Sequence, residues 1–134
     1  MTTHYSGALR TEGKHLKSGT TLITDPPIDN HGKGEAYSPT DLLCAALSSC
    51  MITIMGIYAQ KETIDISGMK AEITKTMSAS PRRISEIKIE ITLPDDKILV
   101  LTEKNKSDLK HAAHTCPVAL SIHPDLKQNV EFNF

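Results

Sequence analysis

No tryptophan occurs in the 134 residues, and aromatic side chains make up only 4% of them. Few rings are available for stacking on bases or sugars. The chain also lacks a charge excess of either sign: its formal net charge is -1 with 23% charged residues, so no basic field exists to hold a phosphate backbone or an anionic membrane surface. Neither nucleic acid nor a membrane is an expected partner. The opening residues, Met1 to Gly7, have neither the basic start nor the apolar run of a secretory signal, which sets the expectation of a cytoplasmic address. Cysteine is scarce, with Cys44, Cys50 and Cys116 alone. In a chain read as leaderless, three thiols argue against a structural disulfide framework, because the cytosol keeps ordinary thiols reduced. Three buried thiols acting as small hydrophobes would be the plainest account of them.

What is present organises as one domain over residues 1–134, of a size that usually buries about two-thirds of the surface its unfolded chain exposes. Tyr5 to Thr11 and Thr20 to Thr24 read as short strands separated by a polar stretch that ends in the turn signal Ser18-Gly19. From Asp25 to Tyr37 the residues are dense in breakers and have no usable period, so a surface loop is expected there. Ser38-Pro39-Thr40-Asp41 is a helix start: a serine N-cap, a proline at the first helical position and an aspartate to complete the cap.

That helix is expected to run to about Gln60, roughly 34 Å. Its stretch Leu42 to Gln60 carries no charge and is nearly long enough to span a bilayer. Ser48, Ser49, Cys50, Thr53 and Gly56 dilute it and neither flank is an obvious basic anchor, so a buried central helix is the expected state. Apolar residues such as Leu43, Leu47, Met51, Ile54 and Ile57 go almost all the way round. One small domain cannot cover that much apolar surface, and a second copy of the chain is expected to cover the remainder as a homodimer.

Alternation then marks two strands, with Met69, Ala71 and Ile73 on the dry face of one and Ile87, Ile89, Ile91 and Leu93 on that of the other. Ser78 to Arg83 is the expected loop between them. Lys97 to Leu101 suits either helix or strand. Thr102 to Ala113 reads as a helix capped by Thr102, Cys116 to Leu120 as a short helix ended by His123-Pro124, and Val130, Phe132 and Phe134 as a closing strand.

The chemistry-bearing residues are few. Cys50 lies mid-helix among Ala46, Leu47, Thr53 and Ile54, company that suits an inert core thiol. Cys116 precedes Pro117 at a helix start, where free N–H groups and the helix dipole favour a thiolate. Cys44 sits about 120° around the helix from Cys50 and cannot bridge to it within that helix. A thiol peroxidase needs a nucleophilic thiolate, a cation or donor to lower its pKa, and a second thiol to resolve the sulfenic acid. Cys50 and Cys116 supply two of these parts. The only arginines are Arg10, Arg82 and Arg83; the latter two belong to the expected hairpin loop, which leaves Arg10 as the better cation.

His111, His114 and Cys116 are closely spaced, but no second cysteine pair accompanies them and the histidines also suit the negative end of a helix. No metal and no cofactor are expected. Lys33 in Gly32-Lys33-Gly34-Glu35 has the wrong glycine spacing for a phosphate loop, and no strand leads into it.

The run Ser38-Pro39-Thr40-Asp41-Leu42-Leu43-Cys44-Ala45-Ala46-Leu47-Ser48-Ser49-Cys50 resembles the central helix of the OsmC/Ohr family, which begins at a Ser-Pro or Asn-Pro step and carries an alanine-rich run into the reactive cysteine. His111-Ala112-Ala113-His114-Thr115-Cys116-Pro117-Val118 resembles its second cysteine motif, about 65 residues on. The resemblance implies an α+β fold, with a long central helix packed with antiparallel strands in an intertwined homodimer. It implies Cys50 as the peroxidatic thiol, Cys116 as the resolving thiol and Arg10 as the cation. The substrate it implies is an organic hydroperoxide, with an external dithiol as reductant. Where peroxidase branches carry a glutamate to pair with the arginine, two residues after the start of the helix, this chain has Thr40; Asp41 and Glu35 are the nearby acids. That exchange keeps a second reading open, a dimer of the same fold that binds or senses an apolar small molecule without efficient catalysis.

Overall fold

Turn chemistry shapes the first strands. The computed structural model describes residues 1–134 and divides into two compact units, Met1–Leu43 and Cys44–Phe134. In the first unit a three-stranded antiparallel sheet is formed by β1 (Thr2–Gly7), β2 (Arg10–Lys14) and β3 (Thr21–Thr24), in that order. The stretch from Tyr5 to Thr11, expected as one strand, is therefore two. The chain reverses at Ala8 and Leu9, both at positive φ (49° and 64°), and the Leu9 N–H donates to Tyr5 Oη at 3.1 Å. Two successive positive-φ residues are the mark of a tight hairpin turn that usually selects Asn-Gly; Ala8-Leu9 carries no such signal. The β2–β3 turn forms as expected, with the Gly19 N–H donating to the His15 carbonyl. This unit buries no apolar side chain; its buried residues are Thr24, Asp25 and Ser38.

The long helix α1 (Pro39–Lys61) starts on the anticipated cap. Ser38 Oγ accepts from the Asp41 N–H at 3.1 Å, while the Ser38 N–H and hydroxyl donate to Asp41 Oδ2 at 2.8 and 2.6 Å. By length and composition α1 could cross a membrane. In this fold its inner stripe, Leu47, Met51, Met55 and Ala59, is 0–2% exposed within protein.

In the second unit β4 (Lys70–Ala79) and β5 (Arg82–Thr92) pair antiparallel, and β6 (Lys127–Asn133) lies parallel to β5. The parallel pairing is a departure from the antiparallel expectation. It arises because α2 (Asp95–Ile98), α3 (Glu103–His114) and α4 (Pro117–Ser121) form a crossover that returns the chain in its original direction. Ile87, Ile89 and Ile91 of central β5 are fully buried, whereas Ile73 on edge strand β4 is 37% exposed. The strands also extend further than alternation indicated, so the expected loop shrinks to Ser80-Pro81 and both arginines open β5. Arg83 reaches Asp125 at 3.6 Å between exposed side chains, a contact that solvent screens.

Thr102 caps α3 as expected, in a reciprocal box with Asn105. Tyr58 Oη on α1 donates to Asp108 Oδ2 on α3 at 2.9 Å. One end of that tie is the helix carrying Cys50, and the other is the helix leading to Cys116.

Candidate active site

Cys50 and Cys116, 66 positions apart in the chain (116 − 50), are brought together in the second unit. Cys50 is half-buried on α1 and packs against the core cluster that contains Cys116, which has no exposure at all. None of the three cysteines is in a disulfide. Burial pushes the Cys116 thiol up, and the neighbouring Cys50 side chain pushes it further; the Ala119 N–H, which donates to Cys116 Sγ at 3.2 Å, pulls the other way. The N-cap position of Cys116 at α4 is thus real, but its acidifying pull on the thiol is outweighed by desolvation. Cys116 is a neutral thiol near pH 7. Cys44 is a core residue at 5% exposure. His114, considered as a metal ligand from sequence, sets its ring edge-on to Phe132 at 5.8 Å.

Arg10 belongs to a cluster in the first unit. Its Nη2 donates to Glu35 Oε2 at 2.6 Å and to Asp25 Oδ2 at 3.3 Å. Of the two nearby acids, Glu35 is the one paired with Arg10, while the Thr40 hydroxyl bonds Ser38 within the helix cap. Asp41, the other acid considered, is engaged by Ser38 in the same cap. Asp25 was not singled out by the sequence reading. A signal existed: β2 and β3 pair Thr11 with Thr24, so one step further along the ladder sets Arg10 opposite Asp25.

The Asp25 carboxyl lies below its ordinary range, because the backbone N–H groups of Glu35 and Lys33 and the Arg10 guanidinium outweigh the opposing effect of burial. Asp65, through Lys97 and Ser67, and Asp108, through Lys104 and Tyr58, move the same way. A carboxylate whose folded pKa lies below its unfolded value adds stability that is complete above the unfolded value, near pH 4, and fades as pH falls through the folded one. Urea midpoints are therefore expected to fall steadily from about pH 5 to about pH 2. A flat curve over that window would contradict the assigned contacts.

The profile of the OsmC-like protein family matches residues 32–131. A solved protein assigned to the osmotic stress and detoxification response of Psychrobacter arcticus 273-4 is 51% identical, with a TM-score of 0.92 over 98% of this chain and 93% of that one. More distant likenesses show the shared fold. The organic hydroperoxide resistance protein OsmC of Legionella pneumophila is 15% identical, with a TM-score of 0.73 over 99% of this chain and 96% of that one. The organic hydroperoxide resistance protein OhrB of Bacillus subtilis is 14% identical, with a TM-score of 0.67 over 98% and 96%. No curated protein matches the chain.

Proposed function

Because the chain belongs to the OsmC-like protein family, we propose that it reduces organic hydroperoxides through Cys50 and Cys116, with the two units acting as one domain. The observation that carries the reading is the meeting of these two thiols, one half-exposed and one sealed, as electrostatic neighbours. The greater exposure of Cys50 supports its reacting first. The Cys50 thiolate attacks the terminal peroxide oxygen, the O–O bond breaks, and the alkoxide leaves as the alcohol after taking a proton. The resulting Cys50 sulfenic acid is attacked by the Cys116 sulfur as it gives up its proton, forming the disulfide and releasing water. A cytosolic external dithiol reduces that disulfide and is itself oxidised to a disulfide. Arg10 is the cation assigned to stabilise the thiolate and the departing oxygen.

The protein acts as a homodimer in this reading. Leu43 and Ile57 on α1 are 38% and 46% exposed, and Tyr5, Leu22 and Ile23 of the first sheet are 44–63% exposed; apolar surface of this kind suits burial against a second copy. One equivalent of cumene hydroperoxide is expected to consume two thiols rapidly, with intact mass lower by two hydrogen atoms and peptide mapping joining Cys50 to Cys116. Slow oxidation that also consumes Cys44 would reject the peroxidase.

A groove of about 470 Å³ supports the second reading, an apolar-ligand module. Its apolar side is Ile52, Ala59, Ile64, Ile66 and Met69, and Gln60, Asp65 and Ser67 add a polar edge. Slow, unselective oxidation is the outcome that would favour this reading.

A further inference from the structure

Asp25 is the one charged residue among the buried ones, and its side chain has no exposure. Burying a carboxylate is unfavourable unless its oxygens are well supplied with donors. Here Oδ2 accepts from the Glu35 N–H at 3.0 Å and from Arg10 Nη2 at 3.3 Å, and Oδ1 takes a long contact of 3.5 Å from the Lys33 N–H. The Asp25 N–H donates to the Tyr37 carbonyl at 3.1 Å, which closes residues 25–37 into a loop around that carboxylate. The loop has little slack: a Cβ at Gly32 would lie 1.6 Å from the Pro26 carbonyl oxygen.

If closing the loop were Asp25's main task, a neutral asparagine could keep the shorter bond, from the Glu35 N–H, on its single oxygen and give up only the long contact from the Lys33 N–H. What only an anion adds is a strong hold on the guanidinium across the β2–β3 ladder. Glu35 makes the shorter contact with Arg10, 2.6 Å against 3.3 Å, but from a side chain 60% exposed, where water and salt compete.

We infer that Asp25 is a positioning residue: it fixes the Arg10 guanidinium by Nη2, leaving the donors on Nε and Nη1 outside both carboxylate contacts for a third group. Glu35 is the second partner, closer to the guanidinium but open to solvent. The inference rests on the proposed role of Arg10 in the thiol chemistry, and its test separates the two.

The full-length reduced protein would be followed by guanidinium NMR of Arg10 and by the pH dependence of Cys50 alkylation with iodoacetamide. Wild type is expected to show slowly rotating, individually resolved Nη2 protons. Asp25→Asn should lose them and move the alkylation midpoint up by about one pH unit, a tenfold change in thiolate population. Asp25→Glu should restore part of both effects. In an Arg10→Met background Asp25→Asn should add no further shift, because the anion acts through the guanidinium; an additional shift there would overturn the inference. Glu35→Gln, at an exposed position, should keep the Nη2 signals. Persistence of the signals in Asp25→Asn, or their loss in Glu35→Gln, would overturn the inference as well. Should Arg10→Met leave the alkylation profile in place, Arg10's role in the peroxidase is what fails, and the Nη2 signals still decide whether Asp25 holds it.

Discussion

Cys50→Ser is expected to lower peroxide turnover by about three orders of magnitude or more, the scale on which removing a nucleophile acts. A serine hydroxyl is a far weaker nucleophile near neutral pH and forms no sulfenic acid. Cys116 cannot take over, because it is sealed in the core and burial keeps its thiol neutral. Cys116→Ser should behave differently: one rapid round of peroxide reduction, then a protein one oxygen heavier that no longer turns over with a dithiol as efficiently. Stopped-flow peroxide consumption and intact mass distinguish the two variants. Equal activity of Cys50→Ser and wild type would end the assignment.

The largest effect on stability is expected from Ile89→Ala. Ile89 is fully buried on the central strand, with Ile73 and Val130 as its register partners on either side. Truncating such a residue loses the transfer free energy of its deleted carbons and leaves a cavity, together about 2–5 kcal/mol. Ile73→Ala on the same rung provides the internal control, since Ile73 is 37% exposed and already spends much of its time against water. It should cost about 1 kcal/mol. Urea unfolding of both variants reads the difference, and equal losses would mean that the central strand is less sealed than described.

Much of this architecture was legible because the decisive signals are local. Ser38 and Asp41 announce the start of α1, and Thr102 that of α3, through side chains that bond to backbone within three residues, and Pro39 fits the first helical position. The alternation in β5 reported its buried face because a strand with one dry side repeats every second residue. Ile73 misled for the same reason: alternation marks which face a residue takes and is silent on whether a neighbour covers it. Ala8-Leu9 was illegible because neither residue favours positive φ; the one local signal, Gly7 at φ 89°, stands just before the two turn residues instead of within them.

The candidate site divided along the same line. Cys50 and Cys116 each stood in a recognisable motif, so their meeting could be anticipated. The dipole argument for Cys116 fell short because burial, a property of the whole second unit, dominates its pKa. Asp25 was passed over among the breakers of its loop, since an acid before two prolines reads as turn chemistry until the ladder is continued past Thr11 and Thr24.

The side-by-side parallel run of β5 and β6 has one more consequence. Cys116 rides on a crossover whose two ends are anchored in adjacent strands of a single sheet, and it lies beside Cys50 within the same unit. In the proposed cycle, joining the two is a unimolecular event governed by effective molarity, and its rate is expected to be indifferent to dilution of the protein.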